Sequence, residues 1–575
     1  MTTRNDYFRY KILKLEKILS KSQIRILFEI LVIIAFFSFV LLPPLNLLRN
    51  VIVDWDDITQ LIFNDPILKD TIWIAIFRAI SLSFRIAFIV TIIDVIIGIP
   101  IAHVLANYEF RGKTALDTIV DIPLAVPTSA LGFSILLFWA SGDGISKLFF
   151  ENRTLVDQGP MLLILGHVAF SFSYVVRNLK GVLEEVDQNV VNAGRTLGAS
   201  PLSVFRTVTA PMAKEGIIAG AILAFTRSLG ETGASLLLAG VYETAPIQIV
   251  SFMSGFRIPQ AAFLSIILII ISITLLVGVR QYARRVGLPQ PQIYPKFERL
   301  LSQKKVVRTR NGFAWGLFAI LVLIPSLFVI SYLMSVWNQG PSGIREDGAI
   351  YQVFQAPDNK WESLQLSLVT SVEVALIVTM LNLILGIPMA YLLVKRQYWG
   401  RWRTVLDALV DIPLVIPSSA LGFSVFLLWG NLGIGLVEPG IWMIVLAHLT
   451  FTYPFAVRPM ISYFESYDYV YYEAARTLGA SDLTSFRRVI LPMLKRGIFA
   501  SAILTFTRSL SETGATIIVM GNSRTVPVLI VDLVESEALP AAAFAATVLI
   551  GISFMMMLLA RSFNTTNKEE KDARN

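Results

Sequence analysis

The chain contains no cysteine, which excludes disulfides and thiolate-bound metal from its fold and chemistry. Histidine is nearly absent: His103, His167 and His448 are the only 3 in 575 residues. His167 and His448 stand at equivalent places on apolar stretches, but no carboxylate lies at helical ligand spacing beside either. They are expected to be satisfied interior groups, and no metal site is expected. Charge is scarce as well, at 16% of residues, low for an ordinary soluble protein. A nucleotide fingerprint is missing too. Gly112-Lys113-Thr114 ends like a phosphate loop, but its first glycine would fall at Asn107 and no strand precedes it. No catalytic residue and no cofactor are expected, and the chain is not expected to hydrolyse ATP itself.

What is abundant is apolar length. With 55% hydrophobic residues and a mean hydropathy of +0.66, the chain reads as an all-α membrane protein crossing the bilayer many times. Apolar runs of about 20 residues match a hydrocarbon core of about 30 Å. Helices are expected at 24–48, 78–107, 115–140, 161–182, 213–240 and 261–281, then at 311–335, 364–394, 405–430, 440–463, 494–520 and 540–561. The first run has no small-residue cleavage site after it, so it is expected to be retained rather than removed as a signal peptide.

These twelve runs are two copies of one six-helix module. Residues 187–212 (DQNVVNAGRTLGASPLSVFRTVTAPM) recur as residues 467–493, with Gly198 matching Gly479 and Pro211 matching Pro492, both 281 residues on. The match continues without a gap into FTRSLGETGAS and FTRSLSETGAT. A duplication of that length makes 1–290 and 291–575 the two halves. Six spans per copy is even, so the halves enter the membrane the same way, as parallel repeats about an axis along the membrane normal.

Charge sets the orientation. The N-terminus, the turn with Arg111 and Lys113, the 282–310 link and the connection with Lys395, Arg396, Arg401 and Arg403 are basic. The 49–77 segment is acidic instead. Both termini and both repeated inserts are therefore expected in the cytoplasm of a cell whose plasma membrane holds the chain. Topology accounts for the net charge of +8 without a nucleic-acid partner.

Each insert reads as two short helices. Gly198 or Gly479 suits a left-handed C-cap. Ser200 or Ser481 follows as N-cap, with Pro201 or Asp482 at the first helical position. Leu202, Phe205 and Val208, or Leu483, Phe486 and Val489, form one apolar stripe. A solvated connector packed on its own bundle is the plain alternative. Two capped helices presented twice look built to dock into a two-fold soluble partner. DNA is a remote partner for a helix–turn–helix held against a bilayer.

Glu473-Ala474-Ala475, then Gly479, then Val489, Leu491 and Pro492 resemble the coupling-helix signature of ABC importer permeases. The first copy departs from it, with Asn192-Ala193-Gly194 and with Ala210 before Pro211, but keeps Gly198. The chain thus resembles a type I ABC importer permease with both halves fused. The resemblance implies a separate ABC ATPase dimer docked at Asn192, Ala193, Gly194, Gly198, Leu202 and Phe205 and at Glu473, Ala474, Ala475, Gly479, Leu483 and Phe486. It also implies an extracytoplasmic substrate-binding protein, with ATP hydrolysed by the ATPase subunit.

Polar groups within the spans mark a candidate pathway. Arg227 and Glu231, and Arg508 and Glu512, are four apart, so each pair is expected on one helix face. DIPLAVPTSALGFS and DIPLVIPSSALGFS carry two prolines and hydroxyl pairs, Thr128–Ser129 and Ser418–Ser419, expected to help satisfy carbonyls freed at a kink. The arginine–glutamate stretch resembles the fifth helix of sulfate, molybdate and phosphate permeases, and the proline stretch resembles sulfate-type permeases. Arg85 and Glu373 occupy matching positions with opposite charge, so a pair or an asymmetric gate is expected. A gradient-driven secondary transporter is the rival class, to which Asp94 and Glu373 fit weakly; a membrane scaffold is a poorer third. The substrate is left between a sulfate-, molybdate- or tungstate-like anion and, since fused halves are common there, ferric iron or thiamine.

Overall fold

The computed structural model describes residues 22–64, 69–149, 153–285, 294–340, 342–358, 360–395, 399–466 and 470–572. The basic N-terminal segment and the boundary between the halves at 290/291 lie outside them. Among the described residues every regular element is helical. Eight helices are long and apolar enough to cross a bilayer, and four bent helix pairs raise the possible count to twelve. Each of the twelve stretches expected from the sequence holds a helix.

Spans are numbered in chain order. Span 2 is Lys69–Asn107 and span 8 is Lys360–Lys395. Span 4 is Pro160–Glu185 and span 10 is Ile441–Glu465. Span 2 has 39 residues, about 58 Å of helix. It starts nine residues before the expected Arg78, because helix continues past the hydrocarbon edge where apolar length stops reporting it. Spans 4 and 10 form the centre of each half: 72% of their apolar windows is buried, against 39% and 33% for spans 2 and 8.

Two expected spans are not continuous. Span 3 is Lys113–Ala125 followed by Thr128–Trp139, turned by 102°, and span 9 turns by 105° between Arg401–Val415 and Ser418–Trp429. Pro127 and Pro417 lack the N–H that would continue the helix, and they push the preceding residue into extended backbone. Spans 5 and 11 also break. Lys214–Leu229 gives way to Gly233–Leu238, and Lys495–Leu510 to Gly514–Val519. Two further short helices, Ala245–Ser254 and Val526–Glu535, were not expected. Ten residues is too short for the apolar-length criterion to detect.

The halves exchange elements. Span 1 (Ser22–Val53, with a π-helical turn at Phe37–Leu41) packs on spans 8, 9 and 10, whereas span 7 (Lys304–Ser335) packs on spans 2, 3 and 4. Buried hydrogen bonds pin the exchange. Ser134 Oγ donates to Pro325 O at 2.6 Å and accepts the N–H of Val329 at 2.9 Å, while Thr450 Oγ1 donates to Phe39 O at 2.7 Å. The short helices cross over too: Ala245–Ser254 lies on span 9 and Val526–Glu535 on span 3. Each is tied to its own half by an N-terminal N–H, Ala245 to Ser83 Oγ and Val526 to Ser371 Oγ, both 2.8 Å.

A candidate gate between the halves and two docking inserts

The breaks in spans 5 and 11 meet at the pseudo-two-fold axis, and their residues explain how. Helix ends at Leu229, and the next begins at Gly233. Glu231 therefore sits in the break rather than on a helix face, which corrects the expectation of a simple four-apart helical pair. The ion pair forms even so. Arg227 Nη2 lies 2.7 Å from Glu231 Oε2, and the other oxygen accepts the N–H of Ala234 at 3.2 Å. Glu512 repeats this with Arg508 and Ala515, both at 3.2 Å. The carboxylate thus bonds a free N–H at the start of one helix while neutralising the arginine that ends the other.

His167 and His448 each staple a break from outside. His167 reaches Ser228 Oγ at 2.8 Å before the break and Ser235 Oγ at 2.9 Å after it. His448 holds Ser509 and Thr516 the same way, both at 2.8 Å. Both ring nitrogens are thereby engaged by hydroxyls, as the expectation of satisfied interior groups required.

The two breaks touch. A Cβ added at Gly233 would stand 2.7 Å from Thr513 Oγ1 and 2.8 Å from Thr128 Oγ1; at Gly514 it would stand 2.6 Å from Thr232 Cβ and 2.7 Å from Ser418 Oγ. Glycine is required because backbone from one half approaches side chains of the other. Beside this contact lies a cavity of about 170 Å³, with Thr128, Tyr174 and Arg227 from one half and Thr507, Arg508 and Ser511 from the other on its wall. The guanidinium carbons lie 5.3 Å from the Phe170 ring centre and 4.7 Å from that of Phe451.

The hydroxyl pairs of spans 3 and 9 behave differently from expectation. Ser129 and Ser419 are buried, and their hydroxyls make no hydrogen bond among the described residues, nor do those of Thr232 and Thr513. Regular backbone bonding stops and resumes on either side of the kink: the N–H of Val126 bonds Ile122 O, and that of Leu131 bonds Pro127 O. The expected link between Arg85 and Glu373 does not form. Both side chains are exposed, and no ion pair joins them, since spans 2 and 8 lie on the outside of opposite halves.

Sequence reasoning missed a clamp present in both copies. Arg177 on span 4 binds Asp117 Oδ1 at 2.9 Å and Asp117 O at 2.5 Å, and it also binds Asp121. Arg458 holds Asp411 Oδ1 and Asp407 Oδ1, both at 2.7 Å. Asp117–Asp121 and Asp407–Asp411, each four apart and each repeated, were the available signal. The clamp fixes the first piece of the bent span against the central helix.

The inserts have the expected capped shape. Gly198 and Gly479 have φ of 84° and 86°. Ser200 Oγ accepts the N–H of Ser203 at 3.2 Å, and Ser481 Oγ that of Thr484 at 3.1 Å. The apolar stripe, however, faces inward. Phe205 packs on the His103 ring at 5.5 Å, Phe486 on Tyr391 at 5.2 Å, and Leu202 is half-buried. The Leu483 side chain lies outside the described residues. Asn192, Ala193, Glu473 and Ala474 are exposed, with Gly194 and Ala475 half-buried behind them. At the turn tips Leu197 and Leu478 are 89% and 88% exposed.

The inserts are braced by different residues. Glu298, 1% exposed, comes from the link between the halves; it accepts from Ser203 Oγ and from Arg206 Nη1 at 2.5 Å. In the second insert Arg476 Nε pairs with Asp482 at 3.0 Å. Pro201 occupies the matching place in the first, so that clamp has no counterpart there.

Bent, paired helices around an axis and twin inserts on one face are the anatomy of a transport subunit. A family model described as "Binding-protein-dependent transport system inner membrane component" matches residues 94–287 and again 382–567, well over half of the chain. The chain belongs to that family. It is 29% identical over 255 residues to the molybdate/tungstate transport system permease protein WtpB of Methanocaldococcus jannaschii, covering 44% of this chain and 95% of that protein. It is 32% identical over 214 residues to the sulfate transport system permease protein CysT of Salmonella typhimurium, covering 36% and 77%. CysT of Escherichia coli gives 30% over 262 residues, 44% and 90%. Each of these relatives corresponds in length to about one half of this importer permease, which is a multi-pass membrane protein and carries two such halves.

Proposed function

We propose that this permease moves a small tetrahedral oxyanion, of the sulfate, molybdate or tungstate kind, between its halves. A separate ABC ATPase dimer drives it, and an extracytoplasmic binding protein supplies it. The observation that carries the reading is the pair of arginines, one from each half, on the wall of a single cavity at the closed contact of the breaks. Each is held by a carboxylate, so the resting gate is neutral. A dianion entering between the halves would compete with Glu231 and Glu512 for Arg227 and Arg508, and the unpaired hydroxyls at the breaks offer donors beside it. Thr128, Ser129, Ser418 and Ser419 belong to the same pathway. The names of the relatives support the anion class.

The ATPase is proposed to seat on the exposed first helix and turn of each insert, Asn192 to Gly198 and Glu473 to Gly479, with Leu197 and Leu478 as apolar knobs. Leu202, Phe205, Leu483 and Phe486 then act as the root of the insert. The chain is proposed to sit in the plasma membrane with both termini and both inserts in the cytoplasm, since the basic connections lie on that side.

The test is uptake of labelled sulfate, molybdate and tungstate into vesicles holding the permease, its ATPase and its binding protein. One of these anions should be taken up only with ATP. Uptake driven by a proton or sodium gradient without ATP would refute the reading. Calorimetry on the binding protein would identify the anion, and a protein that binds only ferric iron or thiamine would overturn the substrate class.

A further inference from the structure

A second cavity, of about 950 Å³, lies away from the gate, where the end of span 2 meets the first insert and the beginning of span 7. One wall is basic: Lys304, Arg308 and Arg310 stand in the first two turns of the helix Lys304–Phe318. Lys304 and Arg308 are four apart and share a face. Both are exposed, and neither has an ion-pair or hydrogen-bond partner among the described residues. Arg310 spends two of its donors on Asn311 Oδ1, at 3.2 and 3.0 Å. Glu109 is the single carboxylate on the wall, and Lys113 holds it at 2.6 Å. Tyr108 and Trp315 complete a rim of the aromatic kind found at membrane interfaces.

The depth of this cavity in the membrane follows from its neighbours. Ile92 and Ile96 on span 2 are 43% and 65% exposed and lie on the helix face that carries the cavity-lining Ile99, Pro100 and His103. These side chains face acyl chains, so the end of span 2, where the cavity and its two free cations lie, stands at headgroup level.

We propose that this cavity binds the phosphate of an anionic phospholipid headgroup, with its acyl chains lying along Ile92 and Ile96. Basic pockets between membrane helices take such headgroups. A free phosphate or transported oxyanion has the same charge chemistry but nothing to cover Ile92 and Ile96. The occupied site braces the link between the halves against the first insert, where the N–H of Leu202 already bonds Ser302 Oγ at 3.1 Å. The inference does not depend on what the permease transports.

The experiment uses the purified full-length chain in detergent, with lipid retention followed by native mass spectrometry and stability by thermal unfolding. Phosphatidylglycerol should be retained and should raise the unfolding midpoint; phosphatidylcholine and inorganic phosphate should do neither. The double variant Lys304→Gln with Arg308→Gln should bind phosphatidylglycerol about 25-fold more weakly, each cation near an anionic headgroup being worth about fivefold. Arg299→Gln with Lys305→Gln removes the same charge off the wall and should behave as the native chain. Equal retention by the two double variants would overturn the site. A midpoint shift from inorganic phosphate matching that from phosphatidylglycerol would overturn the lipid as its ligand.

Discussion

Asp94 shows how a duplication interprets a residue. It is fully buried, and Ser171 donates to it. Aligned on Gly98 and Gly386, its counterpart is Asn382, whose Nδ2 donates to Thr452 at 2.7 Å. An amide fills the same place in the other half, which leaves Asp94 a packing role rather than that of an ion-coupling site. Asp94→Asn should therefore keep transport within about twofold, whereas Asp94→Leu, which forces a larger side chain into a fully buried place, should cost about 1–3 kcal/mol of stability. Uptake and unfolding midpoint of both variants check this, and loss of uptake in Asp94→Asn would restore the proton-coupled alternative. Gly233 is a second single-residue case. Gly233→Ala should cost about 1–3 kcal/mol by overpacking the closed contact, seen as a lower unfolding midpoint and raised ATPase activity without binding protein. Gly181→Ala is the control, because a Cβ there meets nothing within 4 Å, and it should leave both unchanged.

At the scale of elements, the inserts divide into a root and a tip. The stripe that periodicity picks out is the root, since apolar side chains on an amphipathic helix turn first toward their own bundle. The tip is a loop leucine that periodicity cannot rank. Leu197→Asp or Leu478→Asp should abolish co-purification of the ATPase while leaving the permease folded, because both side chains are almost wholly exposed. Glu473→Ala should reduce transport-coupled ATP hydrolysis more than Asn192→Ala does, as Glu473 stands in the signature and Asn192 does not. Equal losses would mean that the two inserts grip alike. The arginine clamps and histidine staples are elements of a different kind: each clamp ties the first piece of a bent span to the central helix, and each staple joins the two pieces of a broken span. Their partners lie 47 to 68 residues away in sequence, so no local pattern joined them.

At the scale of the whole molecule, the exchange of spans 1 and 7 changes what a half is. The sequence boundary at 290/291 separates two repeats, yet span 1 packs on the second and span 7 on the first. Neither repeat alone can cover the face that receives the other's first span. Residues 1–290 and 291–575 expressed separately should aggregate or be degraded, and co-expressed they should co-purify through a tag on either. A monodisperse, stable single repeat in detergent would contradict the exchanged packing.

The sequence by itself determined the membrane class, the repeat, the places of twelve apolar helical stretches, the caps of the inserts and the residue types at the candidate gate. These properties follow from composition, period and backbone chemistry, which act over a few turns of chain. Only the tertiary structure decided that Glu231 and Glu512 lie in breaks, that the two breaks touch, that Arg85 and Glu373 stay apart, and which insert face is exposed. Those outcomes depend on which helices become neighbours. In a bilayer that choice rests on close packing, small residues and buried hydrogen bonds between distant segments, and apolar periodicity carries no record of it.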